Sequence, residues 1–202
     1  MIRTAPRPAL IAAVLITALA GCLPGQGRQA PALGVTPGEP LLQITLPAQG
    51  VRATLKRVGV NGDVETWQSG DGVSVSLRRG VVVATRGLGF DLMGADAGPT
   101  LAALAGGPAG PYRHQMRYLT GDNHSTYLSA GCTMAQAGGR HEETCITHRG
   151  RFTNLYWLDS AGRILKSRQW IATEIGYLEI ESAGGASAGA KSSESVEIVL
   201  EP

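Results

Sequence analysis

Aromatic residues are scarce in this sequence, at 5% of 202 residues with only two phenylalanines. A core built here must therefore rest on aliphatic side chains. Charge of one sign is lacking too, with eighteen Lys and Arg against sixteen Asp and Glu. No basic stripe interleaves with aromatics, so nucleic acid is not an expected partner. The four histidines, His114, His124, His141 and His148, form no H-E-x-x-H, and no C-x-x-C is present. Neither a metal site nor a resident cofactor is expected, and the histidines read as surface or packing residues. Arg86-Gly87-Leu88-Gly89-Phe90-Asp91 offers two glycines, but position 92 is leucine and no βαβ unit surrounds it. That excludes a dinucleotide loop. The segment reads instead as a tight strand exit, with Arg86 and Asp91 pairing across it.

Long apolar runs are also missing, except at the start. Arg3 and Arg7 precede an apolar stretch from Ala9 to Ala20, broken only by Thr17, and Leu19-Ala20-Gly21-Cys22 follows. A basic start, a short apolar run and a small-residue cleavage site make residues 1–21 a secretory signal. The run falls short of the roughly 20 residues a spanning helix needs. Leu-Ala-Gly-Cys resembles the lipobox of bacterial lipoproteins, in which the cysteine thiol takes a diacylglyceryl group and the freed amino group a further acyl chain. The alternative is an ordinary secreted protein with a cysteine at that place. With Cys22 lipidated, the chain is anchored to a membrane without crossing it, because two or more acyl chains hold firmly. Position 23 is leucine rather than the aspartate that retains many enteric lipoproteins in the inner membrane, which favours the outer membrane and its periplasmic face. Loss of Arg3 and Arg7 with the signal leaves basic and acidic residues equal in number.

Residues 22–40, with Pro24, Pro31, Pro37 and Pro40, read as a tether. At about 3.3 Å per residue it reaches up to roughly 60 Å. From 41 to 202 the length suits one domain. Two cysteines remain there, Cys132 and Cys145. In an oxidising compartment a pair usually closes a disulfide, contributing about 3 kcal/mol for a loop of this size. Two free thiols or one reactive thiol are the alternatives.

Period-two alternation dominates this domain. It runs through 42–46, 51–55 and 64–68, with Asn61-Gly62 as a turn, and through 73–86 as a hairpin about Arg79-Gly80. Tyr112, His114, Met116 and Tyr118 share one face opposite Arg113, Gln115 and Arg117. Further strands are expected at 125–130, 142–148, 152–158, 163–171 and 175–181, with Asp159 to Gly162 as a hairpin turn. One short helix is expected within 97–107, with Pro99 in its first turn. Residues 183–195 are rich in Ala, Gly and Ser and read as a flexible segment, after which 196–200 forms a last strand. The fold class is all-β, a mainly antiparallel sandwich or barrel with at most one or two short helices.

Specific stretches resemble the YjbF/GfcB family of lipoproteins, associated with group 4 capsule and related exopolysaccharides. They are Thr66-Trp67, Asp71-Gly72-Val73-Ser74, Val83 through Gly89 and Asp91-Leu92-Met93, then Tyr118 through Asn123 and Lys166 through Ile171. Trp67, Asp71, Arg86, Asp91 and Trp170 stand out as candidate family-motif positions. The resemblance implies a part in making or exporting a surface polysaccharide, beside a periplasmic companion and an outer-membrane β-barrel protein. It carries no catalytic residue set, so a non-enzymatic accessory factor is expected. A second reading is a polysaccharide-binding module in which Trp67, Trp157 and Trp170 stack on sugars. A third takes Ser129-Ala130-Gly131-Cys132 as faintly similar to the thiol motif of L,D-transpeptidases, with Cys132 as nucleophile. Ala130 stands where that motif has histidine, and no arginine follows closely.

Overall fold

The structure is a computed structural model that describes residues 33–107, 110–120 and 124–182. The signal at 1–21, Cys22, most of the tether, the segment 183–195 and the strand expected at 196–200 lie outside these residues.

Twelve strands and one short helix make up the described chain. In order they are β1 (Leu41–Leu46), β2 (Val51–Asn61), β3 (Val64–Gln68), β4 (Ser74–Arg78), β5 (Val81–Arg86), β6 (Leu92–Ala95), α1 (Gly98–Leu104), β7 (Tyr112–Leu119), β8 (Ser125–Ala137), β9 (Arg140–Thr147), β10 (Gly150–Leu158), β11 (Ile164–Ala172) and β12 (Gly176–Ser182). They form a single sheet in the order β5-β4-β3-β2-β1-β12-β11-β10-β9-β8-β7-β6, and every ladder is antiparallel. Each strand thus pairs with its sequence neighbours, except that β1 also pairs with β12 and β5 is not laddered to β6. Curled on itself, the sheet is a nearly closed barrel, and curling is how a sheet this wide buries one face.

The seam between β5 and β6 is bridged by a side chain. The Thr85 hydroxyl accepts from the Leu92 N–H at 2.9 Å and donates to Asp91. Inside, the alternation works as the sequence suggests. On β7 the residues His114, Met116 and Tyr118 are buried, while Arg113, Gln115 and Arg117 are exposed. Aliphatic side chains fill the interior, among them Ile44, Leu55, Val75, Ile171 and Leu178. Each such buried side chain contributes about 2 kcal/mol.

Cross-barrel hydrogen bonds pin strands that are not sheet neighbours. The Tyr118 hydroxyl donates to the Ile171 carbonyl at 2.6 Å. The Gln169 amide accepts from the Val82 N–H and donates to the Gly80 carbonyl, at 2.8 and 2.9 Å. Gly80 has φ +90°, and a Cβ there would lie 2.8 Å from Cβ of Ile164. Only glycine lets the β4–β5 turn come this close to β11.

Three details differ from the sequence expectation. Strand β2 runs on to Asn61 past a register shift between Arg57 and Gly59, and its outer half is exposed, Val58 and Val60 included, so the alternation there marks no buried face. Strand β8 extends to Ala137, past the expected end at 130, with Cys132 still buried and its last three residues exposed. The short β6 follows the glycine turn, where no strand was expected.

Candidate functional site

The turns of an up-and-down barrel alternate between its two ends. One end gathers the β2–β3, β4–β5 and β10–β11 turns together with α1. Between them opens a cavity of about 700 Å³. Its walls include Leu42, Trp67, Leu77, Leu104 and Ile180, and its rim carries Asp63, Glu65, Arg79, Arg163 and Lys166.

Several rim charges are already paired. Asp63 accepts from Arg78 at 2.8 Å, and that guanidinium holds its carboxyl below the usual range. Glu65 takes Arg57 at 2.6 Å, and Arg163 meets Asp159 at 2.7 Å. Arg79 and Lys166 have no carboxylate within ion-pair distance among the described residues. Lys166 lies 5.8 Å over the Trp157 ring. On the wall, Trp67 is 6% exposed, and its indole Nε1–H has no hydrogen-bond partner. It is the one buried side-chain N or O in that state among the described residues. A buried unpaired donor costs about 1–3 kcal/mol.

Elsewhere in the barrel lies a polar cluster with the opposite character. Glu143 is fully buried on β9, and its two oxygens take four donors. The Thr100 and Tyr112 hydroxyls donate to Oε1, each at 2.6 Å, and Asn154 Nδ2 and the Tyr156 hydroxyl donate to Oε2 at 2.8 and 3.1 Å. His114 Nδ1 lies 3.3 Å from Thr100 Oγ1. Because that hydroxyl gives its proton to Glu143, it can only accept from the ring, which assigns the proton to Nδ1. Burial pushes the His114 pKa down, against the opposing pull of Glu143 and Asp96. Burial and the Glu143 charge push Tyr112 and Tyr156 up. At neutral pH the histidine and both tyrosines are uncharged.

Cys132 and Cys145 sit beside this cluster, opposite each other in the β8–β9 register and disulfide-bonded in the structure. One potential ligand atom each from His114, Cys132 and Glu143 falls within 4.8 Å of the others. With the Cys132 sulfur bonded to Cys145 and the carboxylate fully engaged, the trio offers no open coordination position.

Over residues 39–182 the chain matches the family described as group 4 capsule polysaccharide lipoprotein GfcB, YjbF. It belongs to that family. The fold is similar to that of the hypothetical lipoprotein YmcC from Escherichia coli (K12), with a TM-score of 0.64 at 20% identity, covering 74% of this chain and 85% of that one. No curated protein matches the chain.

The five residues singled out as GfcB/YjbF motif positions do not form one site. Trp67 lines the cavity. Asp71 lies in the β3–β4 turn at the other end of the barrel, where the Ser69 hydroxyl donates to it and holds its carboxyl below the usual range. At that same end Asp91 closes the β5–β6 turn. Its carboxylate accepts from the Gly87 and Leu88 N–H groups at 2.9 and 3.0 Å and from Thr85 at 3.3 Å. The expected Arg86–Asp91 pair is therefore absent. Gly87 and Gly89, with φ of +87° and +97°, wrap the backbone around the Asp91 carboxylate, and Arg86 stays exposed with no ion pair among the described residues. Trp170 on β11 stacks on Phe152 with ring centroids 4.4 Å apart. It packs the barrel wall, beside a smaller cavity of about 250 Å³.

Sequence reasoning missed the Glu143 cluster and the pairing of charges at the cavity rim. The signal for the first was available: Glu143 and Cys145 share a face by alternation, as do Tyr112 and His114. Nothing local marks the second, because which rim charges pair depends on how the strands are brought together.

Proposed function

We propose that this GfcB/YjbF-family protein is a non-enzymatic accessory factor in capsule or exopolysaccharide assembly or export, held at the periplasmic face of the outer membrane by lipid on Cys22. The family match over residues 39–182 carries the proposal, and the lipobox-like Leu-Ala-Gly-Cys at 19–22 supports the anchor. The partners we propose are the outer-membrane β-barrel protein and the periplasmic export components, with polysaccharide itself as a possible ligand. A thiol enzyme is disfavoured by the placing of Cys132, which is fully buried and bonded to Cys145, since a nucleophilic thiolate must be free and reachable. His114 and Glu143 are likewise sealed from any substrate.

Deleting the gene should reduce surface polysaccharide while synthesis of its precursors continues. A Cys22→Ser version should take up no labelled palmitate and restore export poorly, because anchoring raises its effective concentration near the barrel partner. A folded Cys132→Ser, Cys145→Ser version should restore it largely. Unchanged surface polysaccharide in the deletion strain, under conditions of expression, would sink the proposal.

A further inference from the structure

We infer that the end of the barrel away from the large cavity is a binding surface for an acidic saccharide, centred on Arg149, Arg151 and Trp170, an inference that takes its ligand class from the capsule reading above. The first strand begins at Leu41 and the last ends at Ser182, both at the cavity end. The opposite end gathers the turns that join β1 to β2, β5 to β6, β7 to β8, β9 to β10 and β11 to β12. The two ends differ in how their arginines are spent. At the cavity end Arg57, Arg78, Arg140 and Arg163 each bridge a carboxylate. At the opposite end Arg52, Arg86, Arg117, Arg149 and Arg151 are all exposed, and none forms an ion pair among the described residues. Two carboxylates there are already occupied, Asp71 by the Ser69 hydroxyl and Asp91 by the Gly87 and Leu88 N–H groups. The exposed Glu174 bridges no arginine among the described residues.

Within this end the charge has a socket. A cleft of about 250 Å³ is lined by Thr147, Arg149, Arg151, Phe152, Trp170 and Thr173. It falls just short of the roughly 300–1,000 Å³ of drug-sized sites, which leaves room for one sugar unit of a longer chain. Trp170 is partly exposed beside it, backed by Phe152 in a stack with centroids 4.4 Å apart. An aromatic ring takes the C–H face of a pyranose, and a guanidinium forks onto a carboxylate. The turn that presents the arginines is held in shape. The Thr147 hydroxyl accepts from the Arg149 N–H at 3.0 Å and donates to the Gly150 carbonyl at 3.1 Å. Arg149 Nε donates to His148 Nε2 at 3.3 Å, which leaves its terminal nitrogens, and the whole guanidinium of Arg151, to meet an anion. The ligand class that fits is a saccharide chain with carboxylates or comparable acidic substituents. One unit sits in the cleft, and the chain runs on across the neighbouring arginines.

The test uses the full chain purified in a non-ionic detergent, titrated calorimetrically and by tryptophan emission with trigalacturonate. Maltotriose is the neutral control and triglutamate the acidic peptide control. Trigalacturonate should bind and shift the emission, with maltotriose weaker by about tenfold or more, as expected for loss of charge-assisted contacts. Triglutamate, which has charge but no pyranose face, should also bind more weakly. Arg149→Ala with Arg151→Ala should weaken trigalacturonate by about tenfold. Arg57→Ala with Arg113→Ala removes the same charge from the cavity end and should leave binding unaltered. Trp170→Phe, which keeps a ring on Phe152, should weaken binding less and diminish the emission change. Circular dichroism verifies that each variant is folded. Equal binding of maltotriose or of triglutamate, binding retained in the folded Arg149→Ala, Arg151→Ala variant, or no binding of trigalacturonate to the folded parent each overturns the assignment. If gene deletion blocks export but the titration is flat, the assignment of this surface alone falls. If the titration succeeds and deletion has no effect on export, the functional proposal alone falls.

Discussion

Two polar regions of this barrel differ in how completely they are satisfied. Around Glu143 both carboxylate oxygens are engaged by four donors, Thr100 on α1, Tyr112 on β7, and Asn154 and Tyr156 on β10, with His114 on β7 bonded in turn to Thr100. Around Trp67 one buried donor is left unpaired, in the wall of the open cavity. Low dielectric makes a completed network strengthen itself and makes an incomplete one costly. The sealed cluster thus specifies how α1 and three strands pack, whereas the Trp67 region leaves one donor unmet beside open volume. Chemical richness alone does not mark a ligand site. By residue type the Glu143 cluster resembles a catalytic centre more closely than the cavity does, yet nothing can enter it.

Breaking the sealed side should give the largest effect. Glu143→Ala leaves four buried donors without an acceptor and should cost about 4 kcal/mol, seen as a large fall in the urea midpoint. Glu143→Gln, which keeps the shape and part of the bonding, should cost less. A loss for Glu143→Ala no larger than that of a surface substitution would show the cluster to be peripheral to folding. Next comes the neighbouring bridge. Cys132→Ser with Cys145→Ser should lower stability by about 3 kcal/mol, and non-reducing peptide mapping of exported protein should find the parent cysteines linked. Recovery of Cys132 as a readily alkylated thiol would reopen the enzyme reading.

A smaller effect depends on pH. Burial holds the His114 pKa below its ordinary 6.5, so as pH falls through 6.5 the unfolded chain takes up a proton that the folded one refuses. Stability should then decline with acidity from about pH 6.5 downwards. The depressed carboxyls of Asp63, Asp71 and Asp159 also lose stabilisation on acidification, but only from below about pH 5 as they protonate. His114→Asn should flatten the upper part of that pH profile and leave the lower part; an unaltered slope between pH 7 and 5 would refute the assignment. The smallest effect belongs to the open side. Trp67→Phe removes a donor that the protein does not use, so stability should change by no more than about 1 kcal/mol. A drop as large as that of Glu143→Ala would mean that the indole N–H is not spare.

The fold class was legible because alternation is a local property. On β7 or β10 each buried residue is two positions from the next, and the turn residues Asn61-Gly62, Arg79-Gly80 and Asp159 to Gly162 fall where the chain reverses. The outer half of β2 was not expected although Val58 and Val60 keep a period of two, because both are exposed and their alternation marks no core face. The Arg86–Asp91 expectation failed for a physical reason as well. Opposite charges at the mouths of a turn suggest a pair, but an aspartate inside a glycine turn finds backbone N–H groups closer than any guanidinium. The cavity was illegible because it depends on residues far apart in sequence and on which charges other side chains have already consumed. Trp67 could be singled out by resemblance, but its unpaired N–H is a property of the assembled barrel.

The pairing of β1 with β12 has a temporal consequence. Leu42 faces Ser182, so the ring cannot close until the far end of the described domain has become available. All other ladders join neighbouring strands and zip locally, whereas this closure carries the entropy of bringing distant segments together. If the chain is threaded across a membrane from its N-terminus, as proposed above, its first strand waits, half-paired with β2 alone, until the last one arrives. On that proposal the barrel would stay open through most of its passage and lock only when translocation is nearly done, matching folding to export without any added device.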